Sequence, residues 1–304
     1  MSRSVFTINR FSPDAAALRA EFDAKFADPR RALTNRFVWD YWNVPGQYTA
    51  LRTPAWEYFS AKLYQRWHND LVSWGRRVLG CHDISPPWLS NYVEGCKQEL
   101  HGDLPHGPWA FVFSLTPWQH RVFSGGETML LREEVLDFWD QFTSVRSIEQ
   151  GEILRFIEPQ FNRLTVFDPR IPHGVREVRG TTEPRAGRLV MHGWFVSPRP
   201  FIDGPLQDTR GAAAVAANID ALSPVVAQTL GGLPLAGLVS YQLTVASSGE
   251  ITRVAVLSDT TRTVLALERD RQAAARALRK HLITWRLPAR RQSSTITLPL
   301  LFER

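Results

Sequence analysis

The chain has 304 residues, a length that suggests about two domains of roughly 150 residues each. Hydrophobic residues make up 44% and charged residues 22% of the sequence, which is ordinary for a globular protein and argues against a disordered chain. The net charge of +6 is uneven, because residues 213–304 hold 11 Lys and Arg against 6 Asp and Glu. Any attraction to an anionic partner therefore belongs to this C-terminal part.

Two features bear on the compartment of the protein. Cys81 and Cys96 are too few for a disulfide framework and lack zinc-knuckle spacing, so we expect two reduced core thiols. Residues 1–10 lack the apolar segment of a signal peptide, and no stretch approaches the ~20 apolar residues of a membrane span. We therefore expect a soluble, cytoplasmic protein with no membrane partner.

The first 85 residues have the pattern of supporting helices. Residues 13–28 are predicted to form an amphipathic helix that Ser12 caps, with Pro13 in its first turn. Residues 54–79 are predicted to form a longer helix, whose aromatic and aliphatic stripe indicates core packing. That stripe consists of Trp56, Phe59, Leu63, Trp67, Leu71 and Trp74.

From residue 86 to residue 196 the pattern changes to short apolar runs separated by Gly and Pro. Runs such as WAFVFS and RLVMHGWF are typical of strands in a β-sandwich or barrel. Within this part, residues 132–143 are predicted to be a helix and residues 144–153 a loop. A segment rich in Pro, Gly and polar residues, 197–212, is predicted to be a linker that follows a first domain at 1–200.

Residues 213–304 are predicted to form a small α+β domain. The expected elements are, in order, an Ala-rich helix near 212–222, a short helical stretch, strands at 238–246 and 250–258, a basic helix near 265–284 and a final strand at 295–302. Ser248-Gly249 is a good hairpin turn between the two paired strands.

Three residues have the types and spacing of a metal site. His101 and Asp103 are two positions apart, so on a strand their side chains point to the same face. His173 follows an apolar run and a turn-forming Pro, where it can lie at the end of a strand. Two His and one carboxylate on one octahedral face leave three positions open, the arrangement of non-haem Fe(II) oxygenases.

A cationic residue begins the next apolar run. Arg188 opens RLVMHGWF, and an Arg on an apolar strand is costly to bury without an anion. Its planar fork matches a carboxylate bidentately. Arg185 is a rival for this role, but it lies in the Pro- and Gly-containing loop before the strand. His106, His120 and His192 are weaker candidates for substrate contact.

Four blocks of sequence resemble the prolyl-4-hydroxylase-like branch of the 2-oxoglutarate oxygenases. In order, they are HGD, FSGGETML, NRLTVFDPRIPHGV and GRLVMHGWF, with a Tyr-x-x-Gly before the first, and they lie within residues 88–196. The resemblance implies a double-stranded β-helix, or jelly roll. With the helices before it and the C-terminal domain after it, the expected fold class is α+β.

The resemblance also implies a site. It assigns His101, Asp103 and His173 to Fe(II), and Arg188 to the distal carboxylate of 2-oxoglutarate. Tyr92 and Thr128 match positions that line the cosubstrate pocket. The reaction implied consumes O2 and 2-oxoglutarate and hydroxylates a substrate. Trp194 stands where the nucleic-acid demethylase branch has a second Arg, which makes nucleic acid an unlikely substrate.

The C-terminal residues have a second resemblance, to the C-terminal domain of TonB. It rests on the hairpin near residue 249, the segment WRLP at 285–288 and the last strand, and it implies binding of a partner protein, for example by strand addition. We therefore expect an oxygenase that hydroxylates a protein or peptide side chain. A small-molecule hydroxylase and a non-catalytic jelly-roll scaffold are the alternatives.

Overall fold

The computed structural model describes residues 4–28, 39–103, 106–135 and 150–303. Contacts within the chain divide them into two compact units. The first unit is formed from residues 5–72 and 84–196, and the second from residues 73–83 and 197–303 with Ser4. The described strands form two β-sheets.

Strands begin early in the chain. Up to Pro198 they are β1 (Val5–Asn9), β2 (Asp40–Val44), β3 (Tyr48–Pro54), β4 (Cys81–Ile84), β5 (Trp88–Tyr92), β6 (Lys97–His101), β7 (Trp109–Ser114), β8 (Thr128–Leu131), β9 (Leu154–Ile157), β10 (Arg163–Phe167), β11 (His173–Val175) and β12 (Arg188–Pro198). The main path of the sheet runs β1-β10-β7-β12-β5-β3-β6-β11-β8-β9, and β2 pairs with β3 beside it. All neighbours on this path are antiparallel, which gives a curled half-barrel consistent with the expected jelly roll.

The residues before 85 differ from the expectation of helices alone. Strands β2 and β3 form a hairpin there, and β1 pairs with β10. In β3 the side chains alternate, so that Ala50 and Arg52 lie on one face and Leu51 and Thr53 on the other. A strand this short has only a weak alternating pattern in its sequence. The predicted helices on either side of it therefore dominated the prediction for this part of the chain.

Four α-helices occur among the described residues before Pro198. They are Ala15–Phe26, Ala55–Tyr58, Ala61–Val78 and Gln150–Ile153. The single helix predicted at 54–79 is interrupted because Phe59 has an extended backbone, with φ −86° and ψ 155°. Trp67 is fully buried against Phe111 and Phe113 of β7, as the stripe predicted, whereas Trp56 is 39% exposed.

Two further predictions fall partly outside the described residues. Of the helix predicted at 132–143, residues 132–135 are described, and residues 133–135 are helical. Of the loop predicted at 144–153, residues 150–153 form a short helix and the remainder is not described.

The second unit has a four-stranded antiparallel sheet in the order β13-β16-β14-β15. These strands are β13 (Phe201–Asp203), β14 (Gly237–Val245), β15 (Ile251–Asp259) and β16 (Ser294–Phe302). The β14–β15 hairpin turns at Gly249, whose φ of +91° favours glycine. Helices Thr209–Leu230 and Glu268–Leu282 contribute Val215, Leu222 and Leu278 to its core.

Two details of this unit were not foreseen. The residues expected to be a linker, 197–212, contain β13 and the start of the helix at Thr209, where Asp208 accepts a hydrogen bond of 2.7 Å from the Gly211 amide. Among the described residues, Thr209–Leu230 is also the one helix with the length and apolar composition of a membrane span. A single such helix does not by itself indicate a membrane segment.

Candidate active site

The two predicted histidines and the aspartate meet at neighbouring strands. His101 ends β6, His173 begins β11, and the two residues are direct partners in the register between these strands. Asp103 follows β6, and its amide donates a 2.9 Å hydrogen bond to the carbonyl of Pro169 in the loop before β11. The sheet therefore brings together residues that are 70 positions apart.

The potential ligand atoms of the three residues converge. The Nε2 atom of each histidine faces the Asp103 carboxylate. The distance from Nε2 to the nearer carboxylate oxygen is 3.3 Å for His101 and 3.1 Å for His173. All three ligand atoms lie within 4.8 Å of one another, and no other such group of three or more His, Cys, Asp or Glu occurs in the described part of the chain. This is the ligand set that non-haem Fe(II) oxygenases use.

Backbone hydrogen bonds fix the orientation of both rings. His101 Nδ1 lies 2.8 Å from the Glu99 carbonyl, and His173 Nδ1 lies 2.9 Å from the Ile171 carbonyl. A carbonyl can only accept, so each Nδ1 carries a proton, and in the neutral form of each ring, the form that binds a metal, the lone pair is on Nε2. Both histidines thus present a metal-binding nitrogen to the same point as the carboxylate.

The carboxylate between the histidines is held in its charged form. Burial alone would raise the pKa of Asp103, but hydrogen bonds with His101 and His173 outweigh that effect and hold it well below its usual range. For His101, burial works to lower the pKa, and the interaction with Asp103 raises it overall. A dication at this point would replace these contacts with ligand bonds.

A glycine and a turn allow the close approach of β11 to β6. A Cβ on Gly174 would collide with the backbone oxygens of Gln98 and Glu99. Before the strand, buried Asp168 accepts hydrogen bonds from the Arg170 amide at 3.0 Å and from the Arg170 guanidinium at 2.6 Å. These contacts shape the turn that delivers His173 to the site.

Arg188 lies buried in the same cavity. It is 1% exposed, one Nη donates a 3.2 Å hydrogen bond to Thr128 Oγ1, and its guanidinium carbon lies 4.7 Å from the centre of the Tyr92 ring. Its Nε and other Nη have no hydrogen-bond partner among the described residues. Burial lowers the pKa of Arg188, while Tyr92 and Glu127 oppose that shift. A buried cation with spare donors is suited to a carboxylate ligand.

The rival arginine lies elsewhere. Arg185 is exposed, forms an ion pair of 3.1 Å with Glu183, and does not line the cavity. His120 is also exposed and outside the cavity lining. His106 and Trp194 do line it, with their ring centres 4.4 Å apart.

The cavity holds about 690 Å³, and its lining contains all six residues that the resemblance assigned to iron and cosubstrate. It also contains residues that the sequence analysis missed or valued too little. His192 forms a 2.8 Å hydrogen bond with Ser90, and burial, with the charges of Arg188 and Arg52, lowers its pKa to about 4. Arg52, Trp42 and Trp88 form a further part of the wall. The sequence signal for Arg52 was the alternation along β3, which carries no information about the strand with which β3 pairs.

Solved structures with limited similarity include a prolyl-4-hydroxylase from Pseudomonas putida, at 17% identity and TM-score 0.42, covering 64% of this chain and 92% of that chain. A 2OG-Fe(II) oxygenase family protein from Burkholderia pseudomallei has 15% identity and TM-score 0.39, with 62% and 83% covered. The α-ketoglutarate-dependent epimerase SnoN of nogalamycin biosynthesis has 14% identity and TM-score 0.42, with 63% and 77% covered. At these TM-scores the likenesses bear on neither substrate nor reaction.

A search of curated proteins found no match. Among protein families, residues 87–196 match the 2OG-Fe(II) oxygenase superfamily, and this range contains the whole predicted ligand set. The resemblance of the C-terminal residues to TonB is not supported, and nothing in the comparisons indicates a partner protein. Residues 87–196, about a third of the chain, are therefore similar to the 2OG-Fe(II) oxygenase superfamily.

Proposed function

We propose that the protein is an Fe(II)- and 2-oxoglutarate-dependent dioxygenase that hydroxylates its substrate. The observation that carries this proposal is the buried guanidinium of Arg188, with two unpartnered nitrogens, in the same cavity as the convergent His101, Asp103 and His173 atoms. An iron site and a dicarboxylate site in one cavity are the two requirements of such an enzyme.

Each residue of the site has a distinct role in this proposal. His101, Asp103 and His173 would hold Fe(II), and the backbone carbonyls behind the two rings keep both Nε2 atoms available. Arg188 would pair with the distal carboxylate of 2-oxoglutarate, Thr128 holds one edge of the guanidinium, and Tyr92 supports its face. These contacts orient the cosubstrate before reaction.

Bound iron supplies the O2 chemistry, in which 2-oxoglutarate loses CO2 to give succinate and one oxygen atom enters the substrate as a hydroxyl group. The chain contributes a cavity whose wall contains aromatic side chains, among them Tyr48, Trp88 and Trp194. His192 stays neutral at neutral pH because of its low pKa, so it adds no positive charge beside Arg188.

The cavity favours a small-molecule substrate over a protein side chain. Its volume of about 690 Å³ is in the range of small-molecule sites, and the β2–β3 hairpin contributes Trp42, Tyr48 and Arg52 to its wall. A substrate of this kind was the alternative in the sequence analysis, which gave priority to a protein or peptide. Hydroxylation of a peptide residue inserted into the cavity stays the second proposal.

The test is anaerobic titration of the purified protein with Fe(II) and 2-oxoglutarate, followed by visible absorption and by metal analysis after desalting. We expect a weak charge-transfer band and one retained iron per chain. His173→Ala should lose both, because two ligand atoms cannot hold iron as three do. The control is His120→Ala, which changes an exposed histidine outside the cavity.

A folded protein that retains no iron and shows no band would contradict the proposal. The non-catalytic scaffold would then be the better account of the chain. A band that survives in His173→Ala would instead mean that the metal binds through other residues.

A further inference from the structure

The cavity contains a second cationic side chain that the proposed iron and cosubstrate sites do not use. Arg52 is on β3 and Arg188 is on β12, with β5 between these strands. In the register, Arg52 pairs with Ser90, whereas Arg188 pairs with Tyr92. The two arginines are therefore offset by about 7 Å along the strands and about 10 Å across them. They are separate anchoring points in one cavity.

Arg52 is held between two indole rings. Its guanidinium carbon lies 2.8 Å from the centre of the Trp42 ring and 4.1 Å from that of Trp88. The two rings are themselves 6.4 Å apart. These two contacts, with rings whose planes differ by 56°, hold the guanidinium between the indoles, but neither ring offers an acceptor to its N–H groups.

Those N–H groups have no partner among the described residues. No hydrogen bond or ion pair of Arg52 is present there, and its Nε is buried without an acceptor. Asp40 is opposite Arg52 in the β2–β3 register but forms no ion pair with it. Burial lowers the pKa of Arg52 to about 10, against the effects of Tyr48, Asp40 and Tyr92, so the side chain is charged at neutral pH.

A purely structural role explains only part of this arrangement. Packing between Trp42 and Trp88 accounts for the faces of the guanidinium, but a structural arginine normally finds acceptors for its edge as well. In the described residues, Arg52 and Arg188 share this condition: both are charged, both line the cavity, and both have unpartnered nitrogens. An in-plane fork of donors matches a carboxylate.

We propose that Arg52 binds a carboxylate of the substrate, so that this oxygenase acts on organic carboxylates with a flat, apolar body. The body would contact the aromatic wall formed by Tyr48, Trp88, His106 and Trp194, which line the same cavity. This inference rests on the proposed function for the identity of the reaction. The binding of a carboxylate by Arg52 is independent of the proposed function.

The test uses two probes of equal shape, 3-phenylpropionate and 3-phenylpropionamide, in the presence of saturating Fe(II) and 2-oxoglutarate without oxygen. The cosubstrate occupies Arg188, so a second carboxylate must bind elsewhere. Isothermal titration calorimetry on the full chain should show at least ~10-fold tighter binding of the carboxylate, the usual order for a charged hydrogen bond.

Variants assign this preference to one side chain. Arg52→Gln should bind both probes about equally and keep the affinity of the amide, and Arg52→Lys should show an intermediate preference because its charge lacks the planar fork. The matched control is Arg179→Gln, since Arg179 is exposed, pairs with Glu177 at 3.1 Å and lies outside the cavity lining. Unchanged melting temperatures would show that the variants fold.

Peptide carboxylates are separated from small ones by a second pair of probes, acetyl-Ala-Ala-Phe and its C-terminal amide. A preference for the free acid only in this pair would identify the substrate as a peptide with a free carboxylate. Equal binding of acid and amide in both pairs, or no binding of either acid, overturns the proposal.

Failure of this inference and failure of the proposed function give different results. If Arg52→Gln weakens 2-oxoglutarate and leaves the probe preference unchanged, Arg52 belongs to the cosubstrate site and the inference is wrong. If no charge-transfer band forms but the preference persists and depends on Arg52, the carboxylate site stands and the proposed oxygenase activity does not.

Discussion

At the scale of single residues, the hydrogen-bond and ion-pair partners of each arginine show which of the two candidates, Arg185 or Arg188, is suited to bind a carboxylate. Arg185 and Arg188 are three positions apart, yet Arg185 is exposed and paired with Glu183. Arg188 is 1% exposed, and two of its nitrogens have no partner in the part of the chain that the structure describes. A buried charge without a counter-ion is costly. A bound carboxylate would offset this cost at Arg188, which supports the proposal that this position binds the cosubstrate.

Substitution of Arg188 by Gln should weaken 2-oxoglutarate binding. Loss of one partner of a buried charge pair costs about 2–5 kcal/mol, or at least ~30-fold in Kd. The measurement is anaerobic titration of 2-oxoglutarate into the Fe(II) protein. Iron affinity should change little, because Arg188 is not among the three convergent ligand residues.

Arg185→Gln is the control for this experiment. It removes a cation of the same type from the surface of the same unit, where its pairing with Glu183 contributes at most about 1 kcal/mol. If Arg185→Gln weakens 2-oxoglutarate more than Arg188→Gln does, the cosubstrate role of Arg188 is wrong.

At the scale of elements, local patterns predicted the cluster of His101, Asp103 and His173, because each residue is next to a strand that the sequence shows. The anion site at Arg52 was missed for a physical reason. Its function depends on β3 pairing with β5, and the pairing of strands distant in the chain is not visible in a short alternating run. The break at Phe59 was missed because a helix propensity pattern continues across it.

The helix Ala61–Val78 provides a test of the packing that supports the site. Trp67 on this helix is fully buried and contacts Phe111 and Phe113 of β7, the strand beside β12. Trp67→Ala should lower the free energy of unfolding by about 3–5 kcal/mol, because it removes a large buried ring and leaves a cavity. Urea unfolding followed by circular dichroism measures this change.

Trp56→Ala is the matched variant for Trp67→Ala. Trp56 belongs to the same predicted stripe but is 39% exposed, so its removal should cost about 1 kcal/mol or less. Equal losses for the two variants would mean that the stripe packs differently from the structure described here.

At the scale of the whole molecule, the second unit is discontinuous in sequence. Residues 73–83 belong with residues 197–303. Within this unit, Ser240 Oγ donates a 2.7 Å hydrogen bond to the Leu79 carbonyl, and Thr297 Oγ1 donates one of 2.9 Å to the Arg77 carbonyl. The C-terminal residues therefore provide hydrogen-bond donors for residues 73–83, a segment that lies between β3 and β5 in sequence.

A chain that ends at residue 196 should consequently lose structure at residues 73–83. The reporter is Cys81, which is fully buried in the complete chain, where burial raises the pKa of its thiol to about 12. Without residues 197–304, we expect its reaction with a thiol reagent to be at least ~10-fold faster, because exposure restores an ordinary thiol pKa. The melting temperature should also fall.

Cys96 provides the internal reference, because this buried thiol lies in the first unit and should react at a similar rate in both chains. Cys81→Ser in each background identifies which thiol reacts. Slow modification of Cys81 and an unchanged melting temperature in the shortened chain would show that residues 73–83 keep their structure without residues 197–304. In that case residues 197–304 would be a removable module, and their role would have to be sought in binding rather than in stability.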